Sequence, residues 1–255
     1  MLESSRLASA SRRIRLSRMM TRGIARLFSM SFFSTSPECQ KLGLRAGAVW
    51  LENLCISSRS DQLNAAISSA STELTKRYGA LDKVRSSAEV ASFREIHRQV
   101  GARPKKQPPS VENLYKYLLK RSDLPPINNL VDAYNLVSLR TLCSLGAHDL
   151  DRITLPVSLS LLTGQESFTP LGAADPVTVT AGEFGYVDAE DRLLCRLDVV
   201  QADFSKVTTD THRALIIIEA TSDHNSSQVQ QAFDEVVHWT QLECGASVQA
   251  VQEPT

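Results

Sequence analysis

The sequence predicts a single α+β domain in which helices pack on a mixed or antiparallel β-sheet. Two observations indicate this class. Apolar residues follow helical spacing from residue 61 to about residue 142, and short β-rich runs replace that spacing from residue 157 to residue 220. Helical spacing returns from Gln228 to Leu242. Because helices and strands are grouped along the chain rather than alternating, we expect an α+β arrangement.

The first predicted elements are one strand and two helices. Arg45–Ser57 predicts a strand around the apolar residues Val49, Leu51 and Leu54. Apolar residues on one face predict helices over Asp61–Tyr78 and Ser87–Val100. Gly101 follows the second helix directly and can end it, because glycine adopts the left-handed conformation at low cost.

Two further helices are predicted in the middle of the chain. The hydroxyl of Ser110 can cap the first one, and Pro125–Pro126 forces an extended link after it. Asn128 can start the second helix, which is expected to end near Cys143. A loop, Gly146–Asp149, is expected to follow.

The second half of the chain predicts several strands and one helix. The β-rich runs are Val157–Leu161, Val177–Thr180, Phe184–Val187, Leu193–Val200 and Ala214–Ala220. The last helix is predicted over Gln228–Leu242, and the tail from Gly245 can add a final strand.

The first 37 residues differ in composition from the rest of the chain. They contain seven arginines, nine serines and one acidic residue. This acid-poor pattern is typical of an organelle presequence, so we expect a disordered segment 1–37 followed by one domain, 38–255. A mitochondrial destination is the expectation and a plastid the alternative. A basic tail that binds RNA or a membrane also fits the composition.

Charge and residue spacing limit the partners and cofactors. Residues 38–255 contain 21 basic and 27 acidic residues, so any contact with tRNA phosphates has to be local. The best local patch is Arg103, Lys105 and Lys106, which is either a tRNA-binding patch or a solvated loop.

The five cysteines and five histidines lack metal-ligand spacing, so neither a metal nor another cofactor is expected. No run reaches the roughly 18 apolar residues of a membrane span, so we expect a soluble domain.

A more specific pattern lies between Pro126 and Asp151. It reads Pro126-Ile127-Asn128-Asn129, Val131-Asp132, Asn135, and then Ala147, Asp149 and Leu150. In this pattern the chain resembles the B-three/B-four tRNA-editing domain of the phenylalanyl-tRNA synthetase β subunit. The freestanding versions of that domain are more similar, because they share the run Gly146 to Asp151. The resemblance spans roughly Val90 to Ala220.

The resemblance implies a set of site residues. Glu219 stands where the synthetase domain has a glutamate that reads the noncognate amino acid, so it would bind a polar or amino group of the substrate. The alternative is a carboxylate at a strand end that faces water. Asn135 matches an asparagine of the motif and would belong to the catalytic site, or it would satisfy backbone groups near Gly146.

The motif histidine of the synthetase domain is missing here. Gly146 takes its place, and His148 stands where the motif has phenylalanine. His148 could therefore act as a base or orienting group, since imidazole titrates near neutral pH, or it could pack beneath the loop. Gly146, Ala147 and Thr208 complete the expected substrate-binding set, although the hydroxyl of Thr208 could stabilise a turn instead.

The function implied by the resemblance is hydrolysis of a mischarged aminoacyl-tRNA. The aminoacyl ester is already activated, so a site that holds the amino acid, aims a water molecule and stabilises the oxyanion is sufficient. Such a protein would be a deacylase rather than an ATP-dependent ligase. The alternative is a noncatalytic module that binds tRNA or an aminoacyl group within a complex.

Overall fold

The structure is a computed structural model that describes residues 31–121 and 123–254, and it has the expected α+β class. The helices are α1 (Pro37–Lys41), α2 (Asp61–Tyr78), α3 (Leu81–Arg85), α4 (Ala88–Gln99), α5 (Ser110–Arg121), α6 (Asn129–Thr141) and α7 (Ser226–Cys244). The strands are β1 (Phe33–Thr35), β2 (Leu44–Glu52), β3 (Ser144–Asp149), β4 (Val157–Leu161), β5 (Phe184–Val187), β6 (Leu193–Arg196), β7 (Val200–Gln201), β8 (Ala214–Thr221) and β9 (Ser247–Gln252).

The strands form two sheets. One is antiparallel throughout, with the strand order β3-β8-β2-β9. The other has the order β1-β4-β5-β6-β7, in which β1 and β4 run parallel and the remaining neighbours run antiparallel. The sequence predicts one sheet, either mixed or antiparallel, and the described residues form two, one of each type.

Strand β8 lies at the centre of the core. All eight of its residues are buried. Helices α4 and α7 contact this strand, and the side chain of Glu219 contacts Tyr186 of β5 in the other sheet. A strand that is covered on both faces needs a nearly continuous apolar sequence, and the run from Leu215 to Ile218 provides it.

The long helices begin and end where the local sequence predicts. The side chains of Ser60, Asn128 and Asn225 each accept a hydrogen bond from the first turn of α2, α6 and α7, respectively. Gln228 completes a capping box at the start of α7. Gly245 ends that helix in the left-handed conformation, with φ of 63°.

One loop prediction and two strand predictions need correction. The expected loop Gly146–Asp149 belongs to β3, because it pairs with β8. Val177–Thr180 forms no strand; Val177 is exposed and makes a single bridge to Phe168. Leu193–Val200 is divided into β6 and β7 by a turn, in which Leu197 has a φ of 53°.

The fold begins before the domain boundary that composition predicts at residue 37. Phe33 is buried, and β1 pairs with β4 from Phe33 to Thr35. An apolar ring can be stabilised in the core regardless of the basic residues that precede it, so composition places the boundary too late. The predicted presequence lies mostly outside the described residues, which begin at Ser31.

Candidate functional site

A cleft of about 300 Å³ opens beside β3, between the start of α5, the middle of α6 and strands of the five-stranded sheet. Its walls combine apolar and polar side chains. Leu114, Tyr134 and Val200 supply part of the apolar surface, while Ser110, Asn135 and Gln201 supply polar groups. A concave site with a few convergent polar groups is the usual form of a small-ligand pocket.

The floor of the cleft is one face of β3. Ser144, Gly146 and His148 stand at alternate positions of the strand, so they share a face, and all three line the cleft. A Cβ atom built on Gly146 would have no other atom within 4 Å. The floor is therefore open at the position where the resemblance places a histidine.

His148 lies on this floor in a neutral form. Only 1% of its surface is exposed, and burial lowers the pKa of its imidazole to about 4. Its Nδ1 atom is 3.0 Å from the hydroxyl of Ser205 and 3.4 Å from Nε2 of Gln201. The ring also packs edge-to-face on Tyr186, with 6.3 Å between the ring centroids.

Asn135 lies on α6 and lines the same cleft. Its side chain is half-buried and forms no hydrogen bond with any residue of the described ranges. The alternative interpretation requires a hydrogen bond from Asn135 to the backbone near Gly146, and no such bond is present among the described residues. The amide is therefore available as both donor and acceptor inside the cleft.

Glu219 lies behind the cleft wall and does not line the cleft. Oε2 of its fully buried carboxylate accepts a hydrogen bond from the hydroxyl of Tyr186, which does line the cleft. Oε1 is buried without a hydrogen-bond partner within the described part of the chain. Burial, reinforced by the negative charge of Asp198, raises the pKa of Glu219 well above its ordinary value. Neither direct substrate contact nor exposure to water matches this position.

A buried contact between His97 and Asp198 beside the cleft was not predicted from the sequence. Oδ1 of Asp198 lies 2.8 Å from Nε2 of His97, and Oδ2 accepts a hydrogen bond of 3.0 Å from the backbone N–H of Ser110. Nδ1 of His97 faces the carbonyl oxygen of Gln107 at 3.0 Å. Burial lowers the pKa of His97, but these acceptors outweigh burial and the net shift is upward.

Asp198 lines the cleft, but both of its oxygens already have partners. The hydroxyls of Ser110 and Ser144 lie 2.6 Å apart beside it. The sequence signal for this group is weak: Asp198 is a single acidic residue between two apolar residues within the predicted strand Leu193–Val200. His97 stands about a hundred positions earlier, so local patterns cannot connect the pair.

Two predicted substrate-binding residues lie outside the cleft. Ala147 is buried on β3, and its carbonyl oxygen accepts a hydrogen bond of 2.8 Å from Gln201. Thr208 is exposed, and its hydroxyl accepts a bond of 3.2 Å from the backbone N–H of Asp210. The turn-stabilising interpretation of Thr208 fits this geometry.

The three predicted tRNA-binding residues, Arg103, Lys105 and Lys106, are exposed in the connection between α4 and α5. They do not line the cleft, and none of them forms an ion pair with another described residue. The connection is held by its own backbone, because the N–H groups of Lys106 and Gln107 both donate to the carbonyl of Arg103 at 2.8 Å. These charges are available to a partner.

Neither a metal centre nor a membrane span is found in the described ranges. No group of three or more histidine, cysteine or acidic side chains there could hold a metal ion. Among the same residues, no helix combines the length and apolarity needed to cross a membrane. All five cysteines are free thiols.

Comparison with known proteins adds the following findings. A model of the B3/4 domain family matches residues 92–238, more than half of the chain. A similar solved structure is an N-terminal fragment of the phenylalanyl-tRNA synthetase beta-subunit from Pyrococcus horikoshii, with 14% sequence identity and a TM-score of 0.47. The alignment covers 86% of this chain and 50% of that one, so the chain spans half the length of the fragment. No curated protein matches the sequence significantly.

Proposed function

The chain belongs to the B3/4 domain family, and from this premise we propose that it hydrolyses the ester of a mischarged aminoacyl-tRNA in the cleft beside β3. One observation carries the proposal. A neutral imidazole (His148) and an unbonded amide (Asn135) line the same cleft, beside the open floor at Gly146.

The reaction needs little beyond these groups. The oxygen of a water molecule bonds to the ester carbonyl carbon, the bond to the ribose oxygen breaks, and one proton of the water passes to that leaving oxygen. Asn135 can hold the attacking water, because its amide both donates and accepts hydrogen bonds. His148 can donate a hydrogen bond to the carbonyl oxygen as negative charge develops there. Stabilisation of this developing charge usually contributes most to the rate enhancement of such reactions.

Glu219 supports the cleft wall in this proposal. Its carboxylate holds the phenol of Tyr186, whose ring lines the cleft and contacts His148. Ser110 and Ser144 place two hydroxyls on the same wall. Such hydroxyls can bind a polar or amino group of the aminoacyl moiety. The family resemblance implies this binding role for Glu219, and in this proposal the two serines perform it instead.

The test is deacylation by the full chain of a panel of correctly and wrongly charged tRNAs. We expect turnover of at least one mischarged species. Changing His148→Phe should lower kcat by about 100-fold, the usual cost of losing one group that stabilises the developing charge. Changing Asn135→Ala should lower kcat by about the same factor, because the attacking water is no longer held in position. The matched control is Thr208→Ala, because Thr208 is exposed outside the cleft and its loss should leave the rate unchanged. Absence of turnover across the whole panel contradicts the proposal.

A noncatalytic module that binds tRNA or an aminoacyl group is the second candidate. The observation that favours it is the basic patch of Arg103, Lys105 and Lys106, which is exposed, forms no ion pair with another described residue and lies away from the cleft walls. Binding without turnover would support this candidate. Replacing Lys105 and Lys106 by alanine should then reduce the slope of log K against log salt by about 0.7–0.9 for each phosphate that is no longer neutralised.

A further inference from the structure

The surroundings of His148 define which of its ring nitrogens carries the proton. Nε2 of Gln201 lies 3.4 Å from Nδ1 of His148. The orientation of this amide is fixed, because the same Nε2 atom donates to the carbonyl oxygen of Ala147 at 2.8 Å and faces the carbonyl of Ser205 at 3.5 Å. An amide nitrogen can only donate, so the nearby Nδ1 is favoured as an acceptor.

The hydroxyl of Ser205 completes this arrangement. It lies 3.0 Å from Nδ1 and can donate to it, since a hydroxyl rotates to suit its partner. The opposite tautomer would turn an N–H of His148 toward the N–H of Gln201, which is repulsive. Both neighbours therefore accommodate an unprotonated Nδ1.

The second ring nitrogen, Nε2, faces the cleft. It has no hydrogen-bond partner within residues 31–121 and 123–254. In those ranges, Oε1 of Glu219 is the one side-chain nitrogen or oxygen that is both fully buried and without a partner. Nε2 of His148 is therefore not fully buried. Nε2 of His148 must therefore reach open space, and the open space that His148 lines is the cleft.

We infer that Gln201 and Ser205 are positioning residues that hold His148 in the Nε2–H tautomer, so that it presents a hydrogen-bond donor to the cleft. The role of this donor in hydrolysis rests on the proposed function, whereas the tautomer itself does not. A donor at this position recognises an acceptor, and the ester carbonyl of an aminoacyl group is such an acceptor. A general base would require the opposite tautomer, with Nε2 unprotonated.

The direct test is ¹⁵N NMR of the full chain with labelled histidine. The His148→Phe variant identifies the His148 signals by their loss. We expect Nδ1 to resonate as an unprotonated, pyridine-type nitrogen and Nε2 as a protonated, pyrrole-type nitrogen at neutral pH. A protonated Nδ1 in the unaltered protein overturns the inference, and this measurement does not depend on any activity.

Two substitutions test the roles of the positioning residues. Gln201→Glu places a carboxylate beside Nδ1, and we expect the tautomer to reverse because a carboxylate accepts the Nδ1 proton. Ser205→Ala keeps the donating amide of Gln201, so the Nε2–H tautomer should remain. An unchanged tautomer in a folded Gln201→Glu protein overturns the assignment of Gln201. If that variant does not fold, reversal of the tautomer in Ser205→Ala would overturn it instead.

Hydrolysis supplies a separate readout. If the protein is a deacylase, Gln201→Glu should lower kcat by about 100-fold while KM stays within about twofold, because a transition-state donor is lost and ground-state binding is kept. If no charged tRNA is hydrolysed, the proposed function fails while the NMR result still decides the tautomer. Unchanged kcat together with a reversed tautomer would overturn the donor role.

Discussion

The cleft floor on β3 and the neighbouring strands β5 and β6 differ in the space around their backbones. Gly146 of the floor faces open space, whereas a Cβ on Gly185 would lie 2.6 Å from the carbonyl oxygen of Cys195 and 2.7 Å from Leu193. One glycine leaves room for a ligand, and the other allows two strands and their side chains to pack closely. The same residue type therefore lines an open cleft in one region and allows tight packing in the other.

The ionisable groups of the two regions differ in the same way. His148 has one ring nitrogen that reaches the cleft, whereas the unpartnered oxygen of Glu219 is sealed in the interior. Burial shifts the pKa of both groups, lowering that of His148 and raising that of Glu219. A shifted pKa thus does not separate a site residue from an interior one; access to the cleft does.

The largest expected effect tests the two glycines. Gly185→Ala should lower the free energy of unfolding by about 3 kcal/mol, because a backbone carbonyl cannot move away from the added methyl group. Gly146→Ala, its matched control, should change it by less than about 1 kcal/mol, since the methyl group enters open space. Urea denaturation of the three proteins measures both values, and similar losses in the two variants would contradict the description of the cleft floor.

The second prediction concerns the pH dependence of stability. Burial lowers the pKa of His148 from 6.5 to about 4 in the folded state, so the unfolded chain binds this proton first as the pH falls. The contribution of neutral His148 to the free energy of unfolding is therefore fully present above pH 6.5 and is lost as the pH falls to about 4. The loss amounts to about 3 kcal/mol for a shift of this size.

The matched variant for this prediction is His148→Phe, which keeps an aromatic ring and removes the titration. Burial raises the pKa of Asp132 to about 6 and that of Glu219 as well, so these groups stabilise the fold as the pH falls. They are present in both proteins and cancel in the difference. Unfolding free energies from pH 7 to pH 4 should therefore diverge by about 3 kcal/mol; parallel profiles would exclude a neutral buried imidazole.

The sequence predicts the helices better than the site, because helix signals are local. Ser60, Asn128 and Asn225 cap their helices within the next three residues, and each cap is visible in a short window. The cleft depends on distant pairings instead. Strand β3 is a strand because β8 pairs with it, and Glu219 is withdrawn from the cleft because Tyr186 of the other sheet contacts it. The resemblance placed His148, Asn135 and Gly146 in one site, but it could not show which carboxylate lines the wall.

The smallest effect tests the hydrogen bond between Tyr186 and Glu219. Tyr186→Phe should lower the free energy of unfolding by about 2 kcal/mol, because it leaves both oxygens of a buried carboxyl group without partners. In a Glu219→Gln background the same change should cost only about 1 kcal/mol, because the group that loses the phenol can then carry no charge at any pH. A double-mutant cycle by urea denaturation measures the coupling.

The same cycle, followed by deacylation, decides how Glu219 acts. If Glu219 acts only by holding Tyr186, the single changes Tyr186→Phe and Glu219→Gln should reduce kcat/KM by similar factors. The double variant should then be no slower than either, because one interaction is removed in all three proteins. If the substrate reaches the carboxylate itself, Glu219→Gln should be the slower single variant and the losses should multiply. That result would return Glu219 to the substrate-binding role that the family resemblance implies, and would require the wall at Tyr186 to open during the reaction.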